Sequence, residues 1–185
     1  EAILLQLLLA GRRAELKELD ATPRKISTNG LVNVFEAKLP FKYTSGQVEV
    51  NTEIENDMQS TRTMNRLLQG DVGSGKTVVA AVAMLLVVDN SYQGALMAPT
   101  EILAEQHFLN FDQWLQPLGL QLGFLSGKIK GKKREAVLQD LASGRTQIIV
   151  GTHALFQDDI VFKDLGLAVV DEQHRFGVHQ RMSLS

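Results

Sequence analysis

The chain has 185 residues, 44% hydrophobic and 22% charged, which is enough to bury a core as one globular domain with a short attachment. It contains no cysteine, which excludes a disulfide scaffold and every thiolate metal site and fits a reducing, cytoplasmic compartment. Nineteen basic against twenty-one acidic residues give a net charge of −2, an argument against a protein dedicated to coating nucleic acid.

The chain opens at Glu1 and reads as a piece of a longer protein. Residues 1–20 form a leucine-rich pattern that predicts a buried or partner-covered helix. Its apolar run, 2–10, is broken by Gln6 and is far shorter than the roughly 20 residues of a membrane span. Arg12 and Arg13 follow the run, whereas a signal peptide carries its positive charge in front, so no membrane association is expected. Residues 21–39 hold Thr22-Pro23 and Asn29-Gly30, both turn chemistry, and read as a connector. The domain division expected is therefore 1–39, helix and connector, and 40–185, a single lobe.

From Pro40 onward short apolar runs alternate with helical patterns, the signature of an α/β domain with a mostly parallel sheet. The expected strands are 66–69, 95–98, 122–125, 147–150 and 167–170. Helices are expected over 45–58, 76–88, 101–115 and 131–142. Thr100 is placed to cap the third helix and Gly144 to end the fourth. The stretch 128–145 holds six basic residues against Glu135 and Asp140, +4 locally, which leaves −6 for the rest of the chain.

Gly70-Asp71-Val72-Gly73-Ser74-Gly75-Lys76-Thr77 satisfies the phosphate-loop pattern G-x-x-x-x-G-K-[ST]. The glycines let the backbone curl so that successive N–H groups point inward at phosphates, and Lys76 adds a positive charge. Thr77 offers a hydroxyl to Mg²⁺, and the following helix adds its dipole. Apolar Leu67-Leu68 before the loop and Val78-Val79-Ala80-Ala81 after it supply the strand and helix this chemistry needs. The second half of the site is expected at Asp171-Glu172, which the run Leu167-Ala168-Val169-Val170 carries to the C-terminal edge of the sheet. There Asp171 would hold Mg²⁺, directly or through water, and Glu172 would orient and deprotonate the attacking water. Four histidines with no cysteine make a transition-metal site a poor reading.

Asp171-Glu172-Gln173-His174 resembles the D-E-x-H box of superfamily 2 helicases and translocases, in which the histidine links the ATP site to the nucleic-acid site. Further stretches carry the resemblance: Leu39-Pro40-Phe41 leading to Gln47, Asn65-Arg66-Leu67-Leu68-Gln69, Pro99-Thr100-Glu101 through Gln106-His107, Gly151-Thr152-His153-Ala154-Leu155 and Arg175-Phe176-Gly177-Val178. Together they are similar to the RecG-type family of bacterial ATP-dependent DNA helicases, over about 39–181. Glu101 and Gln173 favour that family over the transcription-repair coupling translocases, which stay open as an alternative, as does a non-catalytic nucleotide-binding module. Tyr43 and Ser45 depart from the family's usual residues.

The resemblance implies a RecA-like lobe, ATP and Mg²⁺ as cofactors, and branched or double-stranded DNA as partner. It implies that Gln47 reads the adenine edge, that Phe41 packs on the base, and that Lys76, Glu172 and His174 serve catalysis. Gly70, Gly73, Ser74, Gly75 and Thr77 would cradle the nucleotide. Thr100, Gly127, Lys128, Thr152 and His153 would grip one DNA strand by its phosphates. A second lobe with an arginine finger and a wedge domain would complete the motor, and the 185 residues alone would bind ATP weakly without unwinding DNA.

Overall fold

A computed structural model of the chain describes residues 21–172. The leucine-rich start, Gln173, His174 and everything after them lie outside the described residues. Among the described residues the helices are α1 (Leu31–Lys38), α2 (Ser45–Gln59), α3 (Lys76–Asp89), α4 (Glu101–Leu115) and α5 (Gly131–Ser143). The strands are β1 (Gln93–Met97), β2 (Leu122–Leu125), β3 (Ile148–Gly151) and β4 (Leu165–Val170). All pair in parallel, in the order β2-β3-β1-β4. The expected α/β architecture is present, with helices on a parallel sheet.

The core follows from strand periodicity. Leu96, Ile148 and Val150 point to one face, where they meet α3, Phe111 and Leu115 of α4, and Val32 and Phe35 of α1. Their neighbours Ala95 and Ile149 point to the other face, where they meet Leu125, Leu141 and Leu155. Helix α3 carries buried residues on every side, from Val78 to Val88, as a helix sandwiched inside a domain must. It lies so close to β1 that a Cβ at Gly94 would collide with the Met84 sulfur. Truncating a core side chain such as Phe111, fully buried, to alanine is expected to cost about 3–5 kcal/mol.

One buried polar residue ties the layers together. The Gln93 amide donates to the carbonyls of Leu141 (2.8 Å) and Thr146 (2.7 Å), and its oxygen accepts from the N–H groups of Lys163 (2.8 Å) and Asp164 (3.1 Å). With all four contacts made, the end of α5 and the approach to β4 are fixed to β1. Thr100 caps α4, accepting from Leu103 N–H at 3.3 Å, and Gly144 ends α5 in the left-handed conformation, both as expected.

One expected strand is absent. Residues 66–69 form no strand: Leu67 is 70% exposed, and the Arg66 guanidinium is bound to Glu53 and Asp57 of α2. A pair of leucines flanked by polar residues buries too little to hold a strand without a neighbouring edge. The segment expected as a connector, residues 21–39, contains a helix and packs on the lobe. Leu31–Lys38 is helical and buries Val32 and Phe35, while Lys25 and Asn90 exchange hydrogen bonds of 2.8 and 2.9 Å. The Arg24 guanidinium stacks 3.5 Å from the Tyr92 ring centroid, strapping the segment to the lobe.

Candidate nucleotide and DNA sites

Parallel pairing puts four strand ends on one edge. The register aligns Met97 with Gly151 and Val170, and Leu125 with Gly151. The residues that follow, Thr100, Gly127-Lys128, Thr152-His153 and Asp171-Glu172, therefore share the C-terminal edge of the sheet, where ligands bind in open α/β folds. Helix α3 runs back from that edge, so the phosphate loop at its start lies there too.

The loop's shape depends on glycine. Gly73 (φ +84°) and Gly75 (φ +80°) both occupy the left-handed region. A Cβ at Gly70 would come within 2.7 Å of the Ser74 hydroxyl, and one at Gly75 would collide with the Gln47 amide. Ser74 N–H closes the turn on the Asp71 carbonyl at 3.1 Å. The Lys76 ammonium folds onto the carbonyls of Gly70 (2.6 Å) and Asp71 (2.8 Å). Gly75 is the cap of α3 and has no side chain to satisfy the helix's first N–H groups. A glycine-rich cradle, an uncapped helix start and an ammonium group fit a phosphate ligand. The hydroxyl of Thr77 and the carboxylate of Asp171 are hard oxygen donors of the kind Mg²⁺ takes.

Gln47 sits at the start of α2 and forms a reciprocal cap with Thr44: its N–H reaches the Thr44 hydroxyl (3.2 Å) and its amide oxygen accepts from Thr44 N–H (2.9 Å). Its amide nitrogen donates to the Ser74 carbonyl at 2.9 Å. Gln47 thus braces the phosphate loop from outside, a task its spacing did not announce. Phe41 lies elsewhere, half-exposed in an open cavity of about 490 Å³ with Glu36, Tyr43, Val48 and Asn51. No phosphate-loop residue lines that cavity, so the structure does not bring Phe41 and the loop into one wall.

At the end of β4, Asp171 N–H donates to the Met97 carbonyl at 2.8 Å, and Glu172 adopts a left-handed backbone with φ +48°. A non-glycine residue in that region costs about 1–3 kcal/mol and is held by its surroundings, a pattern found at functional sites. The Asp171 carboxylate meets His107 Nε2 at 2.7 Å. The hydrogen bond from His107 holds the Asp171 carboxyl below the ordinary carboxylate range, against the opposing effect of burial, and the Lys76 charge pulls the same way. Lys76 and Asp171 therefore feel each other across the edge.

In the sequence reading His107 stands only at the end of the Pro99–His107 stretch and among four histidines judged a poor metal site. It lies in the stripe Ala104, Phe111 and Leu115, all fully buried, and a histidine on a core-facing stripe calls for a polar partner. That spacing was the available signal.

The remaining candidates line the same edge, and the side chains of Thr100, Thr152 and Lys128 are already engaged. The Thr100 hydroxyl caps α4. Thr152 is 1% exposed and turns its hydroxyl toward Ala154 N–H at 3.5 Å, so its side chain does not reach the surface; His153 beside it does. Lys128 is ion-paired with Glu101, and each reinforces the other's charge, lowering the Glu101 carboxyl and raising the Lys128 ammonium. Of the other basic residues nearby, Arg134 binds Gln157 and Asp159, and Arg145 binds Asp140. Lys130, Lys132 and Lys133 make no ion pair among the described residues.

Comparison with known proteins accounts for this arrangement. Residues 44–184 match the DEAD/DEAH box helicase family. The ATP-dependent DNA helicase RecG of Pasteurella multocida is 55% identical over 172 residues, 93% of this chain and 25% of that protein. RecG of Bacillus subtilis is 48% identical over 185 residues, 100% of this chain and 27% of that one. The structure of RecG bound to a three-way DNA junction superposes with a TM-score of 0.87 at 42% identity, over 94% of this chain and 24% of the other. The chain thus spans about a quarter of the length of the relatives it matches. With phosphate loop and acidic strand end on one edge of a parallel sheet, and with that match over most of its length, the chain belongs to the DEAD/DEAH box helicase family and is a homologue of RecG.

Proposed function

We propose that residues 40–185 are the first RecA-like motor lobe of a cytoplasmic, nucleoid-associated DNA helicase that remodels branched DNA by ATP hydrolysis. The observation that carries this reading is the convergence of Lys76 and Asp171 on one sheet edge, close enough for the lysine's charge to act on the acid. On this reading the ammonium of Lys76 leaves the carbonyls of Gly70 and Asp71 and transfers to the nucleotide's terminal phosphates. The N–H groups of Gly73 to Thr77 take the remaining phosphate oxygens. Thr77 and Asp171 would hold magnesium, which would neutralise charge on the phosphates. Glu172 positions the attacking water and takes its proton. His174 couples the site to DNA.

Gln47 keeps a second hydrogen on its nitrogen and a second lone pair on its oxygen, enough to read an adenine edge while bracing Ser74. Phe41 would approach the base from the neighbouring cavity. DNA phosphates would be met by backbone N–H groups at Gly127 and Thr152, the cap of α4 at Thr100, His153 and the ammonium of Lys128. A second RecA-like lobe and a wedge domain complete the motor, and the lobe by itself binds ATP weakly and does not unwind DNA.

The test pairs two variants in the full-length protein. Lys76→Ala is expected to lower Mg-ATP affinity by roughly a hundredfold, from the loss of a charge-assisted contact in the cradle. Glu172→Gln is expected to keep nucleotide binding and lower DNA-stimulated turnover by roughly a hundredfold or more. Unchanged affinity in Lys76→Ala, measured by titration calorimetry, would sink the phosphate-loop assignment. Unchanged turnover in Glu172→Gln would leave a nucleotide-binding module and remove the enzyme.

A further inference from the structure

We infer that His107 is a positioning residue for Asp171: it holds the carboxylate in one orientation and ties it to α4, the helix whose first turn forms part of the candidate DNA edge. The inference rests on the reading of Asp171 as the metal-holding acid. Three observations carry it. His107 Nε2 lies 2.7 Å from Asp171 Oδ2, a well-made charge-assisted hydrogen bond. His107 shares the core-facing side of α4 with Ala104 and Phe111, both fully buried, and its own side chain is 14% exposed, so the imidazole is packed and not free in solvent. The other end of the contact is equally fixed, because Asp171 N–H is bound to the Met97 carbonyl of β1 at 2.8 Å.

The tautomer follows from the surroundings. His107 Nδ1 is buried with no hydrogen-bond partner, so a hydrogen there would be an orphan donor. The hydrogen therefore sits on Nε2 and is donated to Oδ2. That hydrogen bond engages Oδ2, and the backbone N–H of Glu172 also favours the ionised carboxylate. Ligating carboxylates are held by outer hydrogen-bond partners in this way. The same geometry rules out other roles for the ring. With Nε2 engaged and Nδ1 buried, His107 has no nitrogen with which to take a proton from water. Its side chain is only 14% exposed, which leaves little of it for a DNA phosphate.

Helix α4 gives the contact a mechanical side. Thr100 caps the helix seven residues before His107, two turns or about 10 Å along the axis. A displacement of the capped end moves the imidazole with it, and the imidazole carries the Asp171 carboxylate.

The experiment compares His107→Leu, His107→Gln and Asp171→Asn with the parent in the full-length protein. Mn²⁺ binding in the presence of ADP is followed by electron paramagnetic resonance, with metal-free ADP affinity and Tm measured alongside. His107→Leu fills the space without a donor and is expected to weaken Mn²⁺ binding about tenfold, with metal-free ADP affinity unchanged. His107→Gln places an amide N–H near the position of Nε2 and is expected to restore binding to within about threefold of the parent. Should His107→Leu lower Tm, His107→Asn, which is polar but withdraws the donor from Oδ2, is expected to show the same weakened metal binding. Unaltered Mn²⁺ binding in His107→Leu overturns the inference, as does an equal loss of metal-dependent and metal-free binding in the leucine and glutamine variants. Parent-like Mn²⁺ binding in Asp171→Asn instead removes the metal role of Asp171 itself, whatever His107 does.

Discussion

The phosphate loop and the row of strand ends at β1, β2 and β3 occupy the same edge of the sheet, yet they are built on opposite plans. In the loop the backbone is the unusual part: two left-handed glycines, a Cβ-free approach to Gln47, and a helix start without a side-chain cap. Its functional side chain, Lys76, is parked on carbonyls that a phosphate would displace. In the strand-end row the backbone is ordinary and three of the side chains are engaged, with Thr100 and Thr152 capping helical turns and Lys128 paired with Glu101. One region keeps donors available for an anion, and the other uses its hydroxyls to hold its own shape. Sequence patterns that look equivalent, a threonine or lysine after a buried strand, therefore mean different things on the two sides.

The sharpest way to break this contrast is to add one methyl group to each region. Gly75→Ala forces a φ of +80° on a residue with a side chain and drives the Cβ into the Gln47 amide. Strain of about 1 kcal/mol or more is expected, together with loss of the Gln47 brace and at least a tenfold fall in nucleotide affinity. Gly127→Ala meets no atom within 4 Å and needs no positive φ, so its stability should stay within about 0.5 kcal/mol of the parent. Urea denaturation and fluorescent-ADP titration of the pair measure both terms. Equal behaviour of the two variants would show that the loop is not held by backbone geometry.

A smaller effect separates capping from ligand contact in the strand-end row. Thr100→Ala removes the acceptor for Leu103 N–H and should lower stability by about 1 kcal/mol, while Thr100→Ser, which keeps the hydroxyl, should stay near the parent. A Thr100→Ala variant that loses DNA affinity at unchanged stability would move the hydroxyl from cap to contact.

Much of this plan was legible because each piece is local. The strand at 122–125 and the helix at 101–115 coincide with the observed elements, since alternating apolar residues and a threonine cap are short-range signals. The pattern G-x-x-x-x-G-K-[ST] likewise encodes its own geometry. Helix α1 was missed because its start is completed from 58 residues away. Asp89 accepts from Leu31 N–H at 2.9 and 3.1 Å, and a Cβ at Gly30 would collide with the same carboxylate. An eight-residue helix is marginal without such help, and Asn29-Gly30 by itself signals only a turn. The roles of Gln47 and His107 were hidden for the same reason, because their partners Ser74 and Asp171 are adjacent only in the fold. The strand expected at 66–69 erred in the other direction: two leucines met the pattern, but no edge among the described residues pairs with them.

The least effect on stability is expected at an ion pair whose cation lies largely in solvent. The Glu101–Lys128 pair joins the first turn of α4 to the loop after β2, two segments of the candidate DNA edge. Exposed ion pairs contribute little to stability, so Glu101→Gln should leave Tm nearly unchanged. Its consequence is electrostatic. While Glu101 is present, the ammonium of Lys128 is offset at short range, and a DNA phosphate must compete with a carboxylate already in place. Removing the carboxylate frees that charge, and DNA affinity at low salt should rise by a few-fold, with the slope of log affinity against log salt steepening by up to about one. Lys128→Ala should flatten the same slope by up to about one, and in the double variant the Glu101 substitution should have little further effect. Additive slopes in the double variant would mean that the two residues act on DNA independently, and that their pairing plays no part in how this edge meets phosphate.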